Sequence, residues 1–363
     1  MTAPSSGNQD MSARKAAHLD VCIDAEHYAV ESGVSRLGEV HLIHRSLPEC
    51  SFTTVDTSIS FLGHTVALPF FISSMTGGSA AGYQVNKQLA EIAETLQIPV
   101  GMGSVRILIR KPEVIRDFML KDIARSVPVF ANIGGVQLPS LDHGELYRLI
   151  DTLRVDGIAV HLNPGQELFQ PEGDRDFTGV LPALERFIAG SPVPVIVKET
   201  GMGINPAEVH ALRGVGATLV DIAGSGGTNW IRVEAHRLEP QEPIARAAEE
   251  FDTWGLPTGL VLAALGRDVP GVVASGGIRG GMDIVRSLAL GAEAAGLALP
   301  FIRALAHGGV KAGVELGRQY EYVIRSAMTM SGVQTIRELR HVPLYMERSL
   351  VEDATSLARA TGV

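Results

Sequence analysis

The sequence predicts an α/β protein, a TIM (β/α)8 barrel with an N-terminal extension and an insertion between strands six and seven. Three observations predict it. Eight short, apolar, β-branched-rich runs recur at spacings of about 30 residues, the size of one βαβ unit. Segments of helical period separate them. Nearly every run empties into polar, glycine-broken sequence, where barrels of this kind carry their chemistry. A doubly wound open sheet is the alternative, but it does not need eight units with a polar cluster after almost every strand.

Strands are expected over 68–74, 98–102, 127–133, 157–163, 193–199, 219–224, 269–275 and 294–299. Helices are expected over 81–96, 113–126, 144–154, 180–189, 206–214 and 282–290. The stretch 225–267 exceeds one ordinary crossover and reads as an insertion, either a mobile wall over the barrel mouth or a surface helical excursion. Beyond strand eight, 308–325 reads as closing helices, with 320–339 packing or pairing subunits. By domain, 1–13 reads as a flexible leader, 14–345 as one barrel domain, and 346–363 as a C-terminal tail.

With 363 residues, 45% of them hydrophobic and 20% charged, the chain can bury one large core. Residues 1–12 lack a basic n-region and an apolar h-region, so they read as a leader and not as a secretory signal. No apolar run approaches the ~18 residues of a membrane span. Cys22 and Cys50 are not spaced as a metal pair, which suits reduced thiols in a cytoplasmic protein, a lone disulfide being the alternative. A net charge of -9 argues against nucleic-acid binding, so an anionic ligand must find local positive charge. Arg14 and Lys15, followed by His18, form such a cluster, although paired cations are also what a solvated face carries.

The strand ends share a chemistry. Strand one leads into Ser74, Met75, Thr76, Gly77 and Gly78; strand two into Gly103, Ser104, Val105 and Arg106; strand three into Asn132, Ile133, Gly134 and Gly135. Glycines that let backbone approach, beside hydroxyls and amides, suit a flat heteroaromatic cofactor. Strand five carries Lys198 into the mouth, where a charge needs an anionic partner: a reduced flavin, or Glu199 or Asp221. The turn Ser275 to Gly281 runs into a helical pattern and, with Ala298 and Leu299, reads as a phosphate cradle. No Rossmann fingerprint is present, which favours a bound mononucleotide over NAD. After strand four come His161, Asn163, Gln166 and Glu167. Glu167 can bind Mg2+ through waters and bridge to a diphosphate, Gln166 can only hydrogen-bond, and His161 can also carry a proton. A hydrated loop is the bland alternative, with Trp230 a packing residue and Glu234 a solvated one.

In this order the motifs resemble the type 2 isopentenyl-diphosphate delta-isomerases, FMN-dependent barrel enzymes of isoprenoid biosynthesis, over nearly the whole chain. The resemblance rests on Arg14 to Leu19, Ser74 to Gly78, Ala131 to Gly134, His161 to Glu167, Val197 to Glu199, Gly226 to Thr228 with Trp230, and Ser275 to Arg279. It implies that FMN is held by Ser74, Met75, Thr76, Ser104, Asn132 and Lys198, together with Thr228, Gly277, Ile278, Arg279, Ala298 and Leu299. The diphosphate substrate would meet Arg14, Lys15, His18 and Arg106, with Ser104, Val105, Asn163 and Gln166 completing its contacts. Glu167 would hold Mg2+. His161, Gln166, Glu234 and Lys198 would be catalytic. The family usually places Gln where Val105 stands, so only the backbone is expected to serve there.

The implied reaction moves a double bond, interconverting isopentenyl and dimethylallyl diphosphate without net redox, with NADPH needed only to reduce the flavin. A cytoplasmic homotetramer or homo-octamer is implied too. The competing classes are an FMN-dependent 2-hydroxy-acid oxidase or dehydrogenase, which needs a His base and an Arg clamp at the later strand ends, and a non-catalytic flavin-binding barrel. No His closely follows strand six.

Overall fold

Strict alternation of inward and outward side chains organises the molecule, a computed structural model that describes residues 17–77 and 79–363. The barrel strands are β1 (Phe70–Ile72), β2 (Val100–Ser104), β3 (Val129–Gly134), β4 (Gly157–His161), β5 (Val195–Lys198), β6 (Leu219–Asp221), β7 (Val272–Val273) and β8 (Ala295–Leu297). All pair in parallel, in the order β7-β6-β5-β4-β3-β2-β1-β8. A bridge between Ala274 and Ala295 joins the two ends into a closed barrel. All eight expected strands are present, most of them shorter than their apolar runs.

Inward positions form one apolar layer: Phe71, Phe130, Ala159, Ile196, Leu219, Val273 and Ala294. A hairpin of Ile59–Phe61 with His64–Val66 closes the bottom and adds Phe61 and Val66 to it. Three phenyl rings meet there, Phe61 lying 5.2 Å from Phe71 and 6.3 Å from Phe130 between centroids. Outward positions such as Ile72, Val160, Val197 and Val220 enter the larger core beneath the helices.

Helices of six or more residues include α1 (Ala80–Leu96), α2 (His143–Leu153), α3 (Pro164–Phe169), α4 (Val180–Gly190), α5 (Pro206–Gly214), α6 (Trp230–Ala235), α7 (Pro243–Glu249), α8 (Thr258–Leu265), α9 (Gly281–Ala289), α10 (Leu299–Ser331) and α11 (Arg348–Thr361); two shorter ones span Arg106–Arg110 and Ile336–Leu339. Their starts follow capping chemistry. Ser79 accepts from Gly82 N, Asp142 from Gly144 N and Asn205 from Glu208 N. α10 bends where Gly308 and Gly309 leave helical geometry.

The helix expected over 113–126 is absent. Two 3-10 segments, Pro112–Phe118 and Leu120–Asp122, replace it, separated at Met119. Phe118 and Leu120 are both buried, and residues two apart project from opposite faces of an α-helix, so the chain turns to bury both. The stretch between β6 and β7 holds α6 and α7 in addition to the crossover helix α8. Segment 346–363 is mostly α11, which buries Leu350 and Ala354. Cys22 and Cys50 are both free. Among the described residues, no helix is long and apolar enough to cross a membrane.

Candidate active site

Two residues beyond each of the seven inward apolar positions, and beyond Gly101 on β2, the same alternation delivers a second layer: Ser73, Gly103, Asn132, His161, Lys198, Asp221, Ser275 and Gly296. Strand pairing sets His161 beside Lys198 and Lys198 beside Asp221. Seven of these eight, all but Asp221, line a cavity of about 250 Å3 at the C-terminal end of the barrel.

One side of the cavity suits a flat group carrying a phosphate. Ser73 Oγ, Ser74 Oγ and Thr76 Oγ1 are buried and have no hydrogen-bond partner among the described residues, so they await an acceptor or donor. Gly103 and Gly296 keep the space flat: a Cβ would sit 1.8 Å from Thr76 O at the first and 2.6 Å from the Phe71 ring at the second. Loop 276–277 has left-handed backbone, φ +88° at Gly276 and +71° at Gly277, and a Cβ at Gly276 would lie 1.9 Å from Gly224 O. These features fit a flavin mononucleotide. The phosphate cradle differs from expectation in one respect. The N–H groups of Arg279 and Gly280, which open α9, both donate to Asp283 Oδ2, at 3.0 and 3.2 Å. The open backbone is therefore the Gly276–Gly277 loop together with the start of α10 at Leu299.

The other side is polar and reaches a buried acid. His161 Nδ1 lies 2.7 Å from Asn132 Oδ1, an acceptor, so Nδ1 carries the hydrogen. Gln166 Nε2 donates to Glu234 Oε1 at 2.9 Å, and His18 Nε2 lies 3.0 Å from the same oxygen. Arg237 pairs with the other oxygen. Burial works to raise the Glu234 carboxyl, but His18, Gln166 and Arg237 outweigh it and hold the group below its usual range. Glu234 is fully buried behind the lining and is not a solvated helix residue; Gln166 and His18 stand between its carboxylate and the cavity. Trp230 meets His18 edge to face at 5.3 Å.

Among the described residues, Glu167 is the one carboxylate in the cavity wall. Its Oε2 accepts from Asp174 N at 2.9 Å and its Oε1 from Asn163 Nδ2 at 3.3 Å. Among the described residues no cluster of three or more His, Cys, Asp or Glu could hold a metal. A single carboxylate still fits Mg2+, which keeps waters and takes substrate phosphate oxygens.

Most residues singled out from the sequence converge here: Ser74, Met75, Thr76, Ser104, Arg106, Asn132, His161, Asn163, Gln166, Glu167, Lys198, Thr228, Gly277, Arg279, Ala298, Leu299 and His18 all line the cavity. Val105 does not. Its side chain is buried in the core, its N–H donates to Asn132 O and its carbonyl accepts from Leu108 N, so its backbone is engaged as well. The Ile278 side chain is likewise in the core. Arg14, Lys15 and Gly78 lie outside the described residues. Sequence reasoning missed Ser73, Gln137 and Gln170, which line the cavity, and Glu31, which pairs with both Arg279 and Arg303. Period-two counting from Phe71 would have found Ser73. Glu31 gives no local signal, because its partners lie far along the chain.

The histidines of the wall are His18 and His161; none comes from the loops after β6, β7 or β8. The model of the family described as FMN-dependent dehydrogenase matches residues 8–111 and 182–345. The chain is 38% identical over 340 residues to the isopentenyl-diphosphate delta-isomerase of Borreliella afzelii (strain PKo), covering 93% of this chain and 94% of that one. Against the protein of that name from Aeropyrum pernix, identity is 39% over 351 residues, covering 95% and 92%. Among solved structures, a Pediococcus acidilactici lactate oxidase superposes with a TM-score of 0.66 at 15% identity, covering 96% of each chain. A mandelate oxidase variant superposes with a TM-score of 0.61 at 19% identity, covering 93% of this chain and 98% of that one. At such identities the two oxidases share the fold alone. The chain belongs to the FMN-dependent dehydrogenase family and, within it, to the group of the isopentenyl-diphosphate delta-isomerases.

Proposed function

We propose that this protein is an FMN-dependent isopentenyl-diphosphate delta-isomerase, shifting a double bond between isopentenyl and dimethylallyl diphosphate without net redox. The observation that carries the reading is 38% identity to proteins of that name over more than nine tenths of both chains. The unpartnered hydroxyls and the glycine-walled slot above β1, β2 and β8 support FMN as the cofactor.

Bound, reduced FMN supplies an electron-rich ring that stabilises positive charge and exchanges protons. The chain supplies the rest. Ser74, Met75, Thr76, Ser104, Asn132, Lys198 and Thr228 would hold FMN, with Gly277, Ile278, Arg279, Ala298 and Leu299 at its phosphate. His161, with Nδ1 committed to Asn132, presents Nε2 for proton exchange. Gln166 contacts the alkene end of the substrate, and Glu234 fixes its amide. Glu167 would hold Mg2+, and Arg14, Lys15, His18 and Arg106 would anchor the diphosphate. That remote binding energy orients the reacting carbons. NADPH serves as the flavin reductant, and the protein works in the cytoplasm as a homotetramer or homo-octamer of single-barrel subunits.

The test is NMR in D2O under anaerobic conditions with FMN, Mg2+, NADPH and isopentenyl diphosphate. Dimethylallyl diphosphate, with deuterium incorporated and without stoichiometric NADPH consumption, is the expected product. A flavin-loaded protein that gives no product overturns the reading.

A further inference from the structure

Asp221 ends β6 with its carboxylate in the inward polar layer, between Lys198 on β5 and Ser275 after β7, and is 1% exposed. Its Oδ1 accepts from Ser275 Oγ at 2.7 Å and from Ala223 N at 3.2 Å. Its Oδ2 has no hydrogen-bond partner among the described residues. Ala223, whose N–H it holds, lines the cavity in left-handed backbone with φ 40°, a conformation that persists in a non-glycine residue only when its surroundings fix it.

An unpaired buried carboxylate oxygen is costly, and Lys198 is the cation beside it. Burial pushes the Asp221 carboxyl up, and Lys198 is the strongest influence opposing that rise. The other buried acid nearby, Glu199, has a different task. The N–H groups of Gly201, Met202 and Gly203 converge on its Oε2 and tie it to the turn after β5. Lys198 Nζ donates to the Glu199 carbonyl, not to its carboxylate. On its opposite flank Lys198 meets His161 from β4. Among the described residues, the remaining charged groups of the wall are Arg106, Glu167, Arg279 and, when protonated, His18.

We propose that Asp221 is a positioning residue, the buried counter-charge that offsets the Lys198 ammonium at the floor of the flavin site and so sets how readily bound FMN accepts negative charge. This rests on the reading that FMN binds above Lys198. Asp221 does not line the cavity, so it acts through Lys198. The substitution Asp221→Asn keeps an acceptor for Ser275 and Ala223 and removes only the charge.

The experiment is a spectrophotometric titration of the FMN-loaded full chain with sulfite, whose addition to the oxidised ring leaves negative charge on it. D221N is expected to bind sulfite about ten-fold tighter than the parent chain, because the ammonium is no longer offset. K198M binds it more weakly than the parent. D221N/K198M stays within about two-fold of K198M, since burial neutralises Asp221 once its cation is gone. A gain from D221N that is absent in the parent background, or equal in both backgrounds, overturns the proposal. D221S gives the same ordering if the amide does not fold. A chain that retains no flavin spectrum overturns the reading that FMN binds above Lys198, and the proposal with it.

Discussion

The two inward layers of the barrel are built by the same strands, two residues apart, and they do opposite things. Phe71, Phe130, Ile196, Leu219 and Val273 close against a hairpin and exclude water. Ser73, Asn132, Lys198, Asp221 and Ser275, one step of the pleat further on, face a cavity or the charge beneath it. Backbone geometry cannot distinguish the layers, because pleat and register are shared. Side-chain chemistry alone decides which layer is floor and which is site, so the two should fail differently when cut.

The sharpest break is expected at the floor. Phe130→Ala removes a ring that packs 5.9 Å from Phe71 and should cost about 3–5 kcal/mol in a denaturant titration, while the FMN that still binds keeps its spectrum. At the site, His161→Ala should lower kcat about 100-fold, worth roughly 2.7 kcal/mol of barrier, with the denaturation midpoint nearly unmoved. Equal loss of stability in both variants would erase the distinction between the layers.

A smaller effect sharpens it. Cys22 lines the cavity yet behaves as a floor residue: burial raises its thiol from 9.0 to about 12, against the pull of Arg303. The folded chain keeps this proton where the unfolded chain loses it. Stability should therefore be intact below pH 9.0 and fall as pH rises from there towards about 12. Comparing parent and Cys22→Ala between pH 8 and 10, the parent should lose about 1 kcal/mol more. Parallel curves would show that the thiol is hydrated.

Legibility in the sequence followed from how local each signal is. The strands were readable because inward and outward faces are both apolar, and the strand ends because polar and glycine-rich residues follow each run. The segment 113–126 misled because its apolar spacing mimics a helix while Phe118 and Leu120 must both be buried. Val105 was expected to offer its backbone, but whether an N–H is already bonded to the next strand is not written locally. Glu234 looked like a surface residue because its partners, His18 and Gln166, come from segments far from it in the chain. The pairing of Glu31 with Arg279 and Arg303 was hidden for the same reason.

The strand Val40–Leu42 pairs antiparallel with Leu344–Met346. During synthesis the earlier strand therefore waits unpaired while the whole barrel emerges from the ribosome. The segment just before it, which carries His18 and Glu31 onto the barrel mouth, is held instead by residues 227–303, among them Glu234, Arg279 and Arg303. The rim itself is secured earlier, by Gly227, Asn229, Gly259, Arg279 and Arg303, so a nascent chain can close its barrel and seat its ligand-facing edge before that last strand pair forms.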